Sequence, residues 1–488
     1  MDMRSLYTLL LILYGLFVSA QESQFEQMKK GLSENSLPLV NMIVEIANVD
    51  KTSYVPGEIE IADFMRRTDA STDVVRYHCK YKIRGASSSH YEKKSFAVKL
   101  TDELGEDLDA NIFGLREENS WILDAMAIDR IRMRNRVCFD IWNEMNRTPY
   151  ETDFDNRNGT LGQFCEVFIN GEYHGLYCMT DKIDRKLLGL KKAKVGDEGD
   201  VTVKGLLYKG ISWGSGYNLL SYEEADVDKD TWNAWELQYP DDYPSIDTWQ
   251  PLMDLINFCS NKTSNTVFRQ GWKDWFWKDN LVDYVVFTLA LNVGDNAYKN
   301  TFISTVNIQE GHKYLVSPWD MDMSLGGYWN GDYYDELAKF TRYNGVAPFN
   351  RLMVQNIDGF KTLQKSKWTE YYETLFSCDN MSRRLDDYGK LLSVSGAWDR
   401  EYKKWNGNPV PLKENIADEL EYVKDWYARN YEHLCNQFGV EIPVDISNVM
   451  PDDATNRSGI YTFDGRRIEG GALNKGIYIV NGKKVMVR

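Results

Sequence analysis

An apolar segment that ends just before an aspartate is the feature that most constrains how this chain can fold. Residues 272–291 are rich in apolar side chains and predict a buried helix. Asp295 follows this helix, and Asn300 comes five positions later. Residues 301–318 then predict a β-hairpin, which delivers Asp320 to the same place. The order of these segments therefore predicts that two carboxylates and one amide lie close together.

The same order of groups occurs in protein kinases, where a catalytic-loop Asp and an Asn five residues later precede a hairpin and a metal-binding Asp. Magnesium prefers oxygen ligands and often takes one or two carboxylates beside substrate phosphates. Asn300, Asp320 and Asp322 are therefore predicted to hold Mg²⁺ or Mn²⁺, and which Asp is the principal ligand stays open. Asp295 is the predicted catalytic base, because a separate carboxylate must accept the proton of the acceptor hydroxyl.

A turn in the β-rich region near residues 74–100 is suited to phosphate. Its small side chains allow backbone amides and hydroxyls to approach a phosphate group. The apolar strand that follows ends at Lys99, with neighbours similar to the apolar-Ala-apolar-Lys strand of kinases. Lys99 is therefore predicted to neutralise charge on the phosphates of ATP, and Lys94 is its rival. The predicted nucleotide-binding residues are Arg84, Gly85, Ser87, Ser88, Lys94 and Lys99.

Together these motifs resemble those of the spore-coat CotH kinases, a family of atypical protein kinases. The resemblance covers residues 84–327. The motifs that carry it are 84–88 with 93–96, 121–123 with Asp129 and 133–135, 167–173 with 175–177, Asp295 with 299–300, and 318–322 with Gly326. One departure is visible, because Thr180 and Asp181 stand where a Glu is expected.

The resemblance implies an α+β fold of the protein-kinase type with two lobes. The β-rich N-lobe would cover about residues 39–182, and the helical C-lobe about residues 183–440. The family also implies transfer of the γ-phosphate of ATP to Ser or Thr of a protein substrate, with Mg²⁺. Glu144 and Asp129 are the candidate carboxylate partners of the nucleotide lysine.

The N-terminal end of the chain predicts export. Residues 1–20 have the charged, apolar and small-residue order of a secretory signal peptide. No Cys stands at the cleavage site, which argues against a lipoprotein, and no later apolar run is long enough to span a membrane. The protein is therefore expected in the periplasm, at the cell surface or outside the cell. Residues 21–38 are the predicted N-terminal extension of a kinase-like domain at 39–440.

The C-terminal end repeats itself, since residues 459–467 resemble residues 476–484. Each copy predicts a β-hairpin, so residues 457–488 form a predicted hairpin tail after a linker at 441–456. From 465 onward the tail has six basic residues and one acidic residue. It resembles C-terminal segments common on exported proteins of Bacteroides-like bacteria. One interpretation is a docking segment for a sorting or cell-surface partner, and the other is a small β module with solvated basic edges.

Charge and histidine content argue against two classes of protein. The chain has 57 Lys and Arg against 73 Asp and Glu, a formal net charge of −16. Nucleic-acid-binding proteins usually carry surplus positive charge, so no nucleic-acid partner is expected. The five His are not closely spaced, which disfavours the usual zinc sites.

Other functions stay open beside the kinase. The chain has 15 Trp, and exported proteins that bind or cleave carbohydrates often stack sugar rings on exposed aromatic side chains. About half of these Trp fall in segments predicted to be helical, where a place in the core is expected. A catalytically inactive kinase-like surface protein is another alternative, because ATP is scarce outside the cytoplasm. Asp320 and Asp322 could also bind calcium in an adhesion protein.

Overall fold

The computed structural model describes most of the chain. It covers residues 22–66, 74–197, 199–213, 217–224, 226–297 and 299–442, and the backbone of four strands between residues 460 and 487. The predicted signal peptide and nearly all of the predicted linker lie outside the described residues. The chain divides into two compact units after Val440.

The N-terminal region forms a closed barrel of seven strands. The strands of this region are β1 (Leu39–Ile43), β2 (Val55–Ala62), β3 (Val74–Arg84), β4 (Ser95–Thr101), β5 (Ala110–Asn111), β6 (Glu117–Glu118), β7 (Ser120–Asp124), β8 (Gly162–Ile169) and β9 (Glu172–Thr180). The barrel has the order β1-β2-β3-β4-β7-β9-β8, and β5 pairs with β6 outside it. Only β1 and β8 run parallel among the barrel neighbours. Tyr81, Trp121 and Tyr177 are among the side chains that fill its core.

A second sheet lies later in the chain and contains the predicted hairpin. Its region has the strands β10 (Lys194–Val195), β11 (Val201–Thr202), β12 (Leu206–Gly210), β13 (Thr231–Trp232), β14 (Trp235–Tyr239), β15 (Thr301–Thr305) and β16 (Tyr314–Pro318). Five of them form an antiparallel sheet in the order β13-β14-β12-β15-β16. The β15–β16 pairing, with Thr301 opposite Pro318, confirms the predicted hairpin. Lys209 in β12 lies opposite Phe302, so it is a direct neighbour of this hairpin.

Most helices lie in the second half of the chain. They are α1 (Gln24–Lys30), α2 (Arg134–Met145), α3 (Ile246–Cys259), α4 (Asn265–Trp275), α5 (Lys278–Ala290), α6 (Phe349–Val354), α7 (Phe360–Tyr371), α8 (Cys378–Val394), α9 (Ala397–Trp405) and α10 (Ile416–Phe438). The single helix predicted over 272–291 is wrong in one respect, because Phe276 and Trp277 are extended and divide it. The Trp277 N–H donates to the Tyr314 carbonyl at 3.3 Å, so the hairpin holds these residues in a strand-like conformation.

The mixture of helices and sheets confirms the α+β class. The β-rich region is a closed barrel, which the sequence did not predict. The region predicted as a helical C-lobe contains a five-stranded sheet in addition to its helices. Within the described part of the chain, no helix is both long and apolar enough to cross a bilayer.

The C-terminal unit is a small sheet. Its strands are β17 (Ile460–Thr462), β18 (Arg467–Ile468), β19 (Gly476–Val480) and β20 (Lys483–Val487), in the order β18-β17-β19-β20. β17 pairs with β18 and β19 pairs with β20, both antiparallel, as the sequence repeat predicts. The two repeats are therefore two hairpins that join through β17 and β19.

Most of the aromatic excess lies in the core. Eight Trp side chains are less than 2% exposed, namely Trp121, Trp142, Trp235, Trp249, Trp272, Trp368, Trp398 and Trp426. Among the described residues, Trp213 and Trp329 are the Trp side chains more than half exposed, at 58% and 52%. The aromatic composition therefore gives little support to a surface that stacks sugar rings.

A buried cluster of charged groups fastens α9 to the barrel. Glu401 on α9 accepts hydrogen bonds from the Lys93 ammonium at 2.6 Å and the Arg132 guanidinium at 2.8 Å. It also accepts the N–H of Leu176 in β9 at 2.8 Å. All three charged side chains are fully buried. Burial lowers the pKa of Lys93 to about 7, although the Glu401 carboxylate opposes this shift.

Glu401→Gln is expected to lower the free energy of unfolding by about 3–5 kcal/mol, because it leaves two buried cations without their carboxylate. The measurement is urea denaturation of both proteins at neutral pH. Glu144→Gln is the matched control, since Glu144 is 51% exposed and pairs with Arg384 at 2.6 Å. This control should cost less than about 1 kcal/mol. Equal losses in the two variants would contradict the role given to Glu401.

Candidate active site

Asp295 lies shortly after α5, which ends at Ala290. It begins a short 3₁₀ helix, Asp295–Ala297. The Lys299 ammonium is 2.9 Å from an Asp295 carboxylate oxygen, and the Asn300 amide nitrogen is 3.4 Å from the same oxygen. The structure thus brings the predicted base and the predicted metal-binding Asn together.

Asn296 clamps the two ends of the β15–β16 hairpin. Its amide nitrogen donates to the Trp319 carbonyl at 2.9 Å, and its amide oxygen accepts the Trp319 N–H at 3.3 Å. The Trp319 N–H also donates to the Asn300 carbonyl at 3.0 Å. Asn300 and Asp320 both adopt left-handed backbone conformations, with φ of 57° and 54°. These bends place both side chains at the same end of the hairpin.

Asp124, at the end of β7, joins this group through α2. The Asn135 amide oxygen accepts the Met321 N–H at 2.6 Å, and its amide nitrogen donates to the Asp124 carboxylate at 3.3 Å. Asn135 therefore holds the loop between Asp320 and Asp322 against the barrel. The sequence motifs include residue 135 without a role, and no sequence signal connects Asp124 with the hairpin.

Four carboxylates form this acidic site (Asp124, Asp295, Asp320 and Asp322), and three of them, Asp124, Asp295 and Asp322, have a raised pKa. Burial raises the pKa of Asp322 well above its usual range, and the other three carboxylates add to the rise. Burial also raises the pKa of Asp124 and of Asp295, although Lys299 opposes the shift at Asp295. Because these groups repel one another when ionised, a bound cation would stabilise the arrangement.

Asp320 and Asp322 keep their carboxylate oxygens available for a metal. Neither side chain forms a hydrogen bond or an ion pair with any other described residue. Over that same part of the chain, no three His, Cys, Asp or Glu side chains lie close enough to hold an ion by themselves. A metal here would need the Asn300 amide oxygen and phosphate oxygens beside one or two carboxylates. Mg²⁺ and Mn²⁺ accept such a mixed oxygen set, so the residues fit the predicted metal.

Arg84 and Lys209 bring positive charge to the acidic site. The Arg84 guanidinium lies 5.5 Å from the centre of a Trp319 ring, and the Lys209 ammonium lies 5.9 Å from that ring. Burial lowers the pKa of both groups, and the Asp124 and Asp320 carboxylates oppose the shift at Arg84. Within the described chain neither cation donates a hydrogen bond or forms an ion pair. Two half-buried cations without a partner anion favour phosphate as a ligand.

Of the residues predicted to bind phosphate, Arg84 lies beside the acidic site, whereas the ammonium groups of Lys94 and Lys99 contact other groups. The Lys99 ammonium lies 2.9 Å from the Asp107 carboxylate. The Lys94 ammonium donates to two carbonyl oxygens of its own turn, at 3.1 and 2.7 Å. Lys209, which the sequence analysis missed, takes the position beside Trp319. Its only sequence signal is a basic residue in the apolar strand β12.

Gly85, Ser87 and Ser88 form the tight part of that turn. Gly85 has a φ of 102°, and a Cβ there would collide with the Ser88 hydroxyl, so the turn requires glycine. Ser87 and Ser88 lie in a 3₁₀ helix, Ser87–His90, in which Ser87 is exposed and Ser88 is half-buried. Their role in binding phosphate stays a prediction.

The two candidate partners of the nucleotide lysine lie outside this group. Asp129 accepts backbone N–H groups at the start of α2 and forms an ion pair with Arg134, so it caps that helix. Glu144 forms an ion pair with Arg384 at 2.6 Å. Neither carboxylate is paired with Lys99.

One protein family matches most of the chain. The family model described as CotH kinase protein matches residues 81–434. The matched region contains every residue of the acidic site and both unpaired cations. None of the curated proteins compared with the chain matches it.

Asp322→Asn is expected to stabilise the metal-free protein by about 1 kcal/mol, because it removes one of the repelling carboxylates. Mg²⁺ or Mn²⁺ should raise the melting temperature of the wild type and raise that of the variant less. Both effects are measured by thermal unfolding at pH 8 with and without the metal. Asp332→Asn, at a side chain that is 67% exposed, is the control and should change neither value. An unchanged metal effect in Asp322→Asn would remove Asp322 from the metal site.

Proposed function

Because the chain belongs to the CotH kinase family, we propose that it transfers the γ-phosphate of ATP to Ser or Thr of a protein substrate with Mg²⁺ or Mn²⁺. One observation carries this proposal, namely that carboxylates and unpaired cations meet at the end of one hairpin. Asp320 and Asp322 supply the acidic side, and Arg84 and Lys209 supply the basic side. A metal-bound nucleotide triphosphate complements both kinds of charge.

Asp295 is proposed to orient the acceptor hydroxyl and to accept its proton. The Lys299 ammonium at 2.9 Å favours the ionised carboxylate, while burial raises the pKa of Asp295 and so makes it a better proton acceptor. Asn300, Asp320 and Asp322 would hold the metal. When bound, the metal would supply positive charge that reduces repulsion between the phosphates and the incoming oxygen.

Arg84 and Lys209 are proposed to bind phosphate oxygens of the nucleotide. They approach from different sheets, since Arg84 ends β3 of the barrel and Lys209 lies in β12. Phosphate groups bound between them would supply the partner anion that both half-buried cations lack. Lys99 and Lys94 would contribute less to phosphate binding, because their ammonium groups already have partners.

The same residues support a two-lobe arrangement of the kinase type. In this proposal the barrel is the N-lobe and the chain after β9 forms the C-lobe, with the nucleotide between them. Arg84 and Asp124 reach the acidic site from the barrel, whereas Asp295 and Asp320 come from the other part. The active site would thus require both parts to keep their relative position.

We further propose that the protein is exported and acts in the periplasm, at the cell surface or outside the cell. The signal-peptide pattern at residues 1–20 supports this location. Protein acceptors would then be exported proteins, and the basic tail would bind a sorting or cell-surface partner.

Asp295→Asn is expected to slow phosphate transfer from labelled ATP by about 10²–10⁴-fold, because an amide cannot accept the hydroxyl proton. Transfer is measured with a mixture of Ser- and Thr-containing peptides as acceptors, in parallel with ATP binding. Asp279→Asn is the control, since Asp279 lies on α5 and is 82% exposed. This control should keep the wild-type rate. If the wild-type protein binds no ATP, the proposed phosphate transfer is wrong. If Asp295→Asn transfers phosphate as fast as the wild type, only the role of Asp295 as the base is wrong.

Lys209→Met is expected to weaken binding of ATP with Mg²⁺ by about 10–100-fold, because it removes a charge-assisted contact to phosphate. Lys99→Met, which breaks a half-exposed pair with Asp107, should change the affinity by less than about threefold. Calorimetric titration of the two variants beside the wild type compares them directly. If Lys99→Met weakens ATP binding more than Lys209→Met does, Lys99 and not Lys209 binds the phosphates.

A further inference from the structure

A cavity of about 400 Å³ lies among the helices, apart from the acidic site. Its walls come from α7, the C-terminal ends of α6 and α10, and a 3₁₀ helix, Phe340–Gly345. Phe340, Phe438, Met353 and Val354 make one side of it apolar. Val354 is 64% exposed, which leaves an uncovered apolar side chain at the opening. The volume is in the range of pockets that hold small organic ligands.

The other side of the cavity is one face of α7 with hydrogen-bond donors. Lys361, Gln364 and Lys365 are three and four positions apart, so they lie on the same face. Gln364 is 1% exposed, and its amide nitrogen has no hydrogen-bond partner in the described chain. The Lys365 ammonium donates one of its three N–H groups to the Gly439 carbonyl at 3.0 Å, which leaves two for a ligand.

The charge of the cavity is the reverse of the charge of the chain. The protein carries a formal net charge of −16, yet the residues that line this cavity include two Lys and no Asp or Glu. A buried amide N–H without a hydrogen-bond partner is unfavourable, and an oxygen acceptor in the cavity would remove that cost. The hydrogen-bond donors therefore favour a ligand with an anionic oxygen group, and the aromatic wall favours a ligand with an apolar body.

We propose that this cavity binds a small carboxylate carried on an apolar body, such as a medium-chain fatty acid or an arylalkanoic acid. The carboxylate would accept from Gln364, Lys361 and Lys365, and the apolar body would cover Phe340 and Phe438. None of the lining residues belongs to the acidic site, so this binding is independent of the proposed phosphate transfer and can be measured without nucleotide.

Calorimetric titration of the full chain with octanoate and with 3-phenylpropionate tests the proposal. At least one of them is expected to bind saturably with one molecule per chain, and the comparison separates an aliphatic from an aromatic body. Octan-1-ol has the same apolar body without the charge and should bind about tenfold more weakly or worse. Failure of both carboxylates to bind at millimolar concentration, or octanol binding as tightly as octanoate, would overturn the proposal.

Variants of the donor face locate the binding. Gln364→Glu keeps the size of the side chain but presents a second carboxylate, so it should weaken binding of the carboxylate by about tenfold or more. Gln364→Met removes the donor without adding charge and should weaken binding less. Lys390→Met, at an exposed lysine on α8, is the control and should bind like the wild type. The melting temperature of each variant checks folding, and wild-type affinity in folded Gln364→Glu would refute this location.

Discussion

The acidic site depends on the two hydrogen bonds between the Asn296 side chain and the Trp319 backbone. Both partners are buried, so breaking these bonds would leave polar groups unsatisfied at a cost of about 1–3 kcal/mol each. The bonds keep Asp295 on one side of the hairpin close to Asp320 on the other. Without this clamp, repulsion between the carboxylates would favour separation of the hairpin ends.

The Glu401 cluster has a comparable effect on the barrel. Glu401 connects α9 with Lys93, with Arg132 and with the backbone of β9, and all of these groups are buried. A buried ion pair adds little net stability, but any movement that separates its members is strongly penalised. The barrel carries Arg84 and Asp124, so its fixed position determines whether these groups face the hairpin.

The predictable part of the site is the part that is local in sequence. Asp295, Asn300 and Asp320 stand at the end of one helix and at the ends of one hairpin, and a pattern of apolar segments and turns locates them. Lys209 enters because β12 pairs with β15, and no periodicity identifies which distant strand will pair. The break in the predicted helix at Trp277 has the same cause, because its N–H bonds to the distant hairpin. The barrel closure and the role of α9 likewise arise from contacts between segments far apart in sequence.

The charges of the site are close together and yet do not cancel. The Asp124 and Asp320 carboxylates attract the Arg84 guanidinium, but they form no ion pair with it. Arg84 lies at the end of β3 and Asp124 at the end of β7, whereas Asp320 lies in the loop after β16, so the backbone holds the opposite charges apart. A calcium site in an adhesion protein, or a carboxylate pair that cleaves a glycosidic bond, would use the carboxylates but gain nothing from the cations beside them. A ligand that presents a metal to Asp320 and phosphate oxygens to Arg84 and Lys209 satisfies both halves at once, which favours phosphate transfer over the alternatives.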